Sequence, residues 1–204
     1  MKLLLENWRQ YLNEGAKTVD DLPDGVEIVV YKTRGGNYVT IEYAEVGGGN
    51  RGFSSENSPI RGDIHITKMS EPLCGEAWKV AGSRAEEGWG PLLYDLAIEW
   101  ASKFGGGLIP DRISVSKDAR KVWKYYLNNR PYVIAHQLDD EDNTLTPDDW
   151  DNCDQSVAKK STVPIIGGFL SRDFTSKSNP MSKRYTKEPD TLRKLMDAGR
   201  LVEK

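Results

Sequence analysis

The sequence predicts a mixed α+β fold. Three observations predict it. Four segments between residues 26 and 83 alternate apolar and polar residues as half-buried strands do. Residues 90–104 (GPLLYDLAIEWASKF) carry one continuous apolar stripe at helical spacing, directly after the fourth of those segments. A second amphipathic helix follows a short fifth strand, and the chain contains no internal repeat.

Residues 1–14 read as a short amphipathic helix, with Leu4, Leu5, Trp8, Tyr11 and Leu12 on one side and Gly15 as its stop. Residues 16–25, with Asp20-Asp21, Pro23 and Asp24, read as a linker. Residues 26–32 (VEIVVYK) and 38–46 (YVTIEYAEV) flank Arg34-Gly35-Gly36-Asn37, which is turn chemistry, so they form an antiparallel hairpin. Residues 47–59 are a polar loop rich in Gly, Ser and Asn. Residues 63–69 (DIHITKM) are the third strand and residues 76–83 (EAWKVAGS) the fourth. In the helix at 90–104, Leu92, Leu93, Leu96, Ala97 and Trp100 form the stripe, Pro91 sits where a first-turn proline is tolerated, and 105–107 (GGG) ends the helix.

Residues 108–113 (LIPDRI) are a short fifth strand. Ser116 is the candidate N-cap of the next helix, whose apolar positions are Ala119, Val122, Trp123 and Tyr126. Residues 131–136 and 163–170 are two further strands, 171–187 is irregular, and 190–198 is a short helix closed by Gly199. The resulting organisation is an N-terminal helix and linker over 1–25, a core over 26–136, and an acidic loop with a basic C-terminal extension packed on that core over 137–204.

Size and composition bound the function. With 204 residues, 38% hydrophobic and 29% charged, the chain builds its own core and is neither collagen-like nor disordered. No stretch approaches the roughly 18 apolar residues of a membrane span. The opening MKLLLENWRQ is no secretory signal, because its apolar run stops at Glu6. Cys74 and Cys153 are the only cysteines and lie far apart, which argues against a disulfide framework and a cysteine zinc site and for a reducing cytoplasm.

Net charge is −3, against general affinity for nucleic acid. It is unevenly spread: residues 137–156 hold eight acids and no Lys or Arg, whereas residues 159–204 hold eleven basic against five acidic residues. An acidic loop beside a basic tail is the plain reading, and phosphate contact by the tail the lesser one. Asp140-x-Asp142-x-Thr144 has the spacing of a calcium loop but lacks its glycine, and Asp151 stands where that loop has Glu, so no metal is expected. Cys153, among acids, is unsuited to act as a nucleophile.

The chemistry sits in the strand–loop–helix unit. Arg84-Ala85-Glu86-Glu87-Gly88-Trp89-Gly90 joins the fourth strand to the long helix; its glycines let backbone N–H groups approach an anion, and the helix N-terminus adds partial positive charge. It lacks the Lys-Ser/Thr of a P-loop and the third glycine of the dinucleotide fingerprint.

The order of elements, with x-x-Gly-x-Gly before the long helix and Ala-x-x-Val-Trp-x-x-Tyr in the next, resembles the GNAT acyl-CoA N-acyltransferase family over about residues 26–136, most closely over 76–129. The resemblance implies a mostly antiparallel, twisted central sheet flanked by helices, with acetyl-CoA as cosubstrate and an amine as acceptor. It implies that Gly88, Trp89 and Gly90 offer amides to the coenzyme A pyrophosphate and that Val80, Ala81 and Gly82 face the pantetheine arm. Arg84 stands one residue before the family's Gln/Arg position, which Ala85 occupies here. Trp123 replaces the tyrosine that often acts as general acid, with Tyr125 and Tyr126 beside it, and Asn128-Asn129 replaces Gly-Phe. His65 and Glu76 are the candidate bases, and Tyr125 and Tyr126 the candidate acids. The attack is expected to be direct, with no covalent intermediate.

The N-terminal peptide resembles the capsid-targeting leaders of large tailed bacteriophages, which a prohead protease removes after Leu/Ile-x-Glu. Leu12-Asn13-Glu14 precedes Gly15 in this way, and Leu4-Leu5-Glu6 has the same form. That resemblance implies cleavage after Glu14, packaging in the virion and delivery to the host cytoplasm. Two functions are therefore expected in competition: an acyltransferase acting on a host protein, small amine or nucleotide, and a non-enzymatic internal head protein whose surface binds a host protein.

Overall fold

Strands β1 (Val26–Lys32) and β2 (Tyr38–Glu45) form the expected antiparallel hairpin, and Gly36 in its turn takes a φ of +68°, which favours glycine. In the computed structural model, which describes residues 16–47, 59–69, 73–112, 115–140, 144–153 and 176–204, β3 (Gly62–Lys68) and β4 (Trp78–Ala85) extend the hairpin antiparallel. Helix α1 (Gly90–Phe104) follows β4 and leads to β5 (Leu108–Ile109), which pairs parallel with β4. Helix α2 (Lys117–Asn129) opens as the sequence predicts, Ser116 Oγ accepting the Ala119 N–H at 3.1 Å. Then come β6 (Ile134–Gln137), the short parallel pair β7 (Asp139–Asp140) and β8 (Asn152–Cys153), β9 (Lys183–Thr186), α3 (Asp190–Asp197) and β10 (Leu201–Glu203). The fold is mixed α+β: among the described residues an eight-stranded, mostly antiparallel sheet in the order β10-β1-β2-β3-β4-β5-β9-β6, flanked by helices.

One sheet face carries Ile28, Ile41, Ile64 and Ile66, all fully buried, against Leu92, Leu93, Leu96 and Trp100 of α1. Burial of each such side chain stabilises the fold by about 1.5–3 kcal/mol, which explains why α1 has the extent its stripe predicts. The opposite face carries Glu42, Asp63 and His65 at alternate positions. A fully buried carboxylate on α1, Glu99, ties α3 to it. Lys187 Nζ donates to Glu99 Oε1 at 2.6 Å, and the Thr191 and Leu192 amides donate to its two oxygens at 2.9 and 2.7 Å. Glu99 thereby caps a helix whose own N-cap, Pro189, offers no side-chain bond.

Several expectations change. The fourth strand starts at Trp78, two residues later than expected, because Cys74, Gly75 and Glu76 adopt positive φ in a left-handed turn over Leu73–Glu76. The fifth strand ends at Ile109, since Pro110 has no N–H to give a ladder. Residues 183–186, expected to be irregular, form β9 between β5 and β6, and the unforeseen β10 pairs parallel with β1. The segment after residue 136 thus contributes two strands, β9 and β10, to the central sheet.

Cys74 and Cys153 are joined by a disulfide, their Cα atoms 4.7 Å apart, against the sequence expectation of no disulfide framework. The bond fastens β8 to the turn before β4. There a Cβ on Gly106 would fall 1.5 Å from the Gly75 carbonyl oxygen, a closeness only glycine permits. Among the described residues no helix is long and apolar enough to cross a membrane. The expected helix at 1–14 with its cleavage point, most of the loop at 47–59 and the strand at 163–170 lie outside the described residues.

Candidate functional site

β4 borders β3 along its whole length but borders β5 only at Trp78↔Leu108 and Lys79↔Ile109. Once Pro110 ends β5, the remaining edge of β4, from Val80 to Ala85, has no strand partner among the described residues. The register against β3 also shifts here: His65 faces Gly82 and Ile66 faces Val80, so Ala81 is an extra residue in a β-bulge. A cleft of about 270 Å³ lies further along, between the end of β4 from Ser83 onward, the first turn of α1 and one side of α2; Val80, Ala81 and Gly82 do not line it.

Ser83, Ala85, Gly90, Tyr94, Ala119 and Tyr125 line this cleft. Gly90 is glycine without a steric need inside the fold, because its φ is ordinary and a Cβ there would meet only the Ala85 Cβ at 3.8 Å. The absent side chain leaves the helix end approachable from the cleft. The cap residue, Trp89, supplies no side-chain hydrogen bond to the first turn, and Pro91 has no N–H, so among the described residues no side chain caps the dipole end of α1 beside the cleft. On the far wall Ser83 Oγ and Tyr94 Oη lie 3.0 Å apart. Burial raises the Tyr94 pKa, opposed by the Ser83 bond.

The other expected residues fall in four places. Gly88, at φ +84°, makes the left-handed turn before the helix. Trp89 points inward, buried edge-on against Tyr43, whose hydroxyl donates to the Trp89 carbonyl at 2.7 Å. The Trp89 amide donates to the Glu86 carbonyl at 3.1 Å and so serves the turn, not an anion. Arg84 lies at the rim with its Nε 2.5 Å from Asp63 Oδ2, drawn to the sheet face opposite α1.

His65 lies on that opposite face too. Its Nδ1 is 2.9 Å from Thr40 Oγ1 and its Nε2 3.1 Å from Asp63 Oδ1, so both ring nitrogens are engaged, and Tyr38 stacks on the ring. Glu76, in the left-handed turn before β4, is separated from Ser83 by the strand from Trp78 onward, roughly 15 Å at about 3.3 Å per residue, and is outside the cleft.

Tyr126 is fully enclosed, and its hydroxyl donates to Asp95 Oδ1 at 2.8 Å and to the Pro91 carbonyl at 3.2 Å. Burial first, and the Asp95 charge second, push its pKa well above the usual phenol range, so it holds its proton rather than supplying it. Tyr125, half-buried, keeps its ring on the cleft. The structure therefore gathers Arg84 and the end of β4, Gly90, Tyr125 and Tyr126 around the cleft, with the Tyr126 hydroxyl turned to Asp95, and leaves His65 and Glu76 elsewhere. Ser83 and Tyr94 were not singled out in the sequence, because serine at the end of a strand and tyrosine on a helix stripe read as packing residues.

No family model, no curated protein and no solved structure matches the chain.

Proposed function

We propose that the chain is an acyl-CoA-dependent N-acyltransferase. The observation that carries this reading is the parting of β4 from β5 beside the start of α1, which no described side chain caps. An open strand edge accepts an extended, amide-bearing arm through backbone hydrogen bonds, as added strands are accepted. The adjoining helix end suits the diphosphate to which such an arm is attached. Val80, Ala81 and Gly82 would border the arm, with the Gly90 turn at the diphosphate. Transfer consists of attack by a neutral amine on the thioester carbonyl, forming the C–N bond and breaking the C–S bond. The departing thiolate gains a proton and the new amide nitrogen loses one. In this chain Ser83, Tyr94 and Tyr125 are the hydroxyls placed on the cleft to move those protons.

Thermal melting with excess acetyl-CoA tests the reading. Ligand at about 100 times its Kd stabilises a fold by about 2.7 kcal/mol, or roughly 5–11 °C for a chain of this size. Gly90→Ala, whose new Cβ finds space, is the fold control. Gly90→Asp sets a carboxylate against the diphosphate and is expected to erase the shift. An unchanged shift in folded Gly90→Asp, or no shift of the native protein with millimolar acetyl-CoA, would overturn the proposal.

A further inference from the structure

The two outer strands of the central sheet differ in how their free edges are guarded. At one end β10 offers three residues, Leu201–Glu203, followed by Lys204, and Glu203 is paired with Lys32. Shortness and charge are the usual protections of a sheet edge against pairing with a further strand. At the other end β6 has neither. Residues 131–138 (PYVIAHQL) contain no Lys, Arg, Asp or Glu, and Pro131 precedes the strand rather than interrupting it. The register of β6 against β9 runs without a bulge from Ile134↔Thr186 to Gln137↔Lys183.

The direction of the backbone groups follows from one bond. The Leu138 N–H donates to the Ser182 carbonyl at 3.0 Å, continuing the ladder between β6 and β9. Bonded pairs recur at every second residue of an antiparallel ladder, so Ile134 and His136 turn their N–H and C=O groups to β9. Ala135 and Gln137 turn theirs outward, where among the described residues no strand pairs with them. Large apolar side chains accompany this edge: Ile134 is 61% exposed, and Tyr132, just before the strand, 80%.

We infer that the outer edge of β6 is an interface between two copies of this chain, paired antiparallel about a two-fold axis so that the sheet runs on from one copy into the other. The inference is independent of the proposed function. Antiparallel order makes the edge complementary to itself: Ala135 and Gln137 of one copy meet Gln137 and Ala135 of the second, and each pair exchanges both of its N–H···O bonds. With no charged side chain in the segment, the copies meet without like-charge repulsion. The guarded β10 edge explains why the occupant is β6 of a second copy: β6 on β10 would propagate head to tail, whereas β6 on β6 uses the same edge of both copies and closes. One strand edge with two apolar side chains is a small interface, of the weak and reversible class.

Sedimentation velocity of the full chain between about 5 and 500 µM, where a weak interface associates, tests the inference. A concentration-dependent passage from monomer to dimer is expected, with no larger species. Ile134→Lys places a charge on the exposed edge and is expected to raise the dimer Kd at least about tenfold. Ala135→Pro removes one outward N–H and no bond to β9, and is expected to do the same; Ile134→Lys decides the matter should the proline disturb the strand. Met196→Lys, 56% exposed on α3, is the control and should leave the dimer unchanged. Amide exchange at Ala135 and Gln137 should slow as concentration rises, while Ile134 and His136 stay protected throughout. A monomer at every concentration, or a dimer undiminished by both β6 variants, would overturn the inference. Equal protection of Ala135 and Gln137 in a monomer would mean that the chain covers this edge itself, and would overturn it as well.

Discussion

Glu99→Ala has a calculable consequence for the fold, because Glu99 joins α1 to α3. The native carboxylate is fully buried and accepts from Lys187 Nζ and from the Thr191 and Leu192 amides. Truncation leaves two first-turn amides of α3 unmet, at about 1–3 kcal/mol each. It also leaves the largely buried Lys187 ammonium with the Asp95 carboxylate at 3.8 Å and the Thr191 hydroxyl at 2.9 Å. Breaking a buried ion pair from one side costs about 3–5 kcal/mol, which agrees with the sum over the amides.

A domain of this size loses about 2–4 °C per kcal/mol, so Tm is expected to fall by roughly 6–20 °C. Urea unfolding at constant slope measures the same loss, and amide exchange at Thr191 and Leu192 should rise well above that at the sheet core. Glu99→Ala combined with Lys187→Met should destabilise by clearly less than the two single losses added, since the two residues share one network. A loss below about 1 kcal/mol, with α3 still protected from exchange, would refute the account of Glu99 as the cap of α3.

Three further outcomes are expected. The disulfide closes a loop spanning a sequence separation of 79, for which chain entropy gives about 4.5 kcal/mol; reduction, or Cys153→Ser, should lower the urea midpoint accordingly, and no difference between oxidised and reduced protein would contradict it. His136, whose pKa is lowered by burial and then by the Arg184 charge, binds its proton less readily folded than unfolded. Stability should therefore be complete above the unfolded value near 6.5 and decline as pH falls from there through the folded pKa, and His136→Gln should flatten that slope in urea melts at pH 7.5 and 5. Tyr126→Phe removes the bond to Asp95 but keeps the ring on the cleft, and is expected to destabilise by about 1–2 kcal/mol while leaving the acetyl-CoA melting shift unchanged; loss of that shift would give the hydroxyl a part in ligand binding.

What could be read in the chain follows from the range of the interactions involved. The extents of β1, β2, α1 and α3, the Ser116 cap and the hairpin turn depend on periodicity and on neighbours within four residues, so residues 26–45, 90–104 and 190–197 announce themselves. The glycine loop was legible for the same reason. Lys183-Arg184-Tyr185-Thr186 was not, because its charged residues hide a strand whose partners, at Leu108 and at residues 134–137, are distant in sequence. Leu201-Val202-Glu203 is too short to show an alternation, and only pairing with β1 makes it a strand.

At the site, sequence alone determined that a glycine-bearing turn joins a strand to the start of a long helix, since both are local properties. Only the tertiary structure decided what that turn faces. Pro110 ends β5, so that among the described residues β4 has no further partner on that edge, Asp63 and Thr40 occupy both nitrogens of His65, and Asp95 holds the Tyr126 hydroxyl. The physical reason is that a hydroxyl, an imidazole or a backbone amide is available for chemistry only where no neighbour already satisfies it, and those neighbours come from strands and helices tens of residues away.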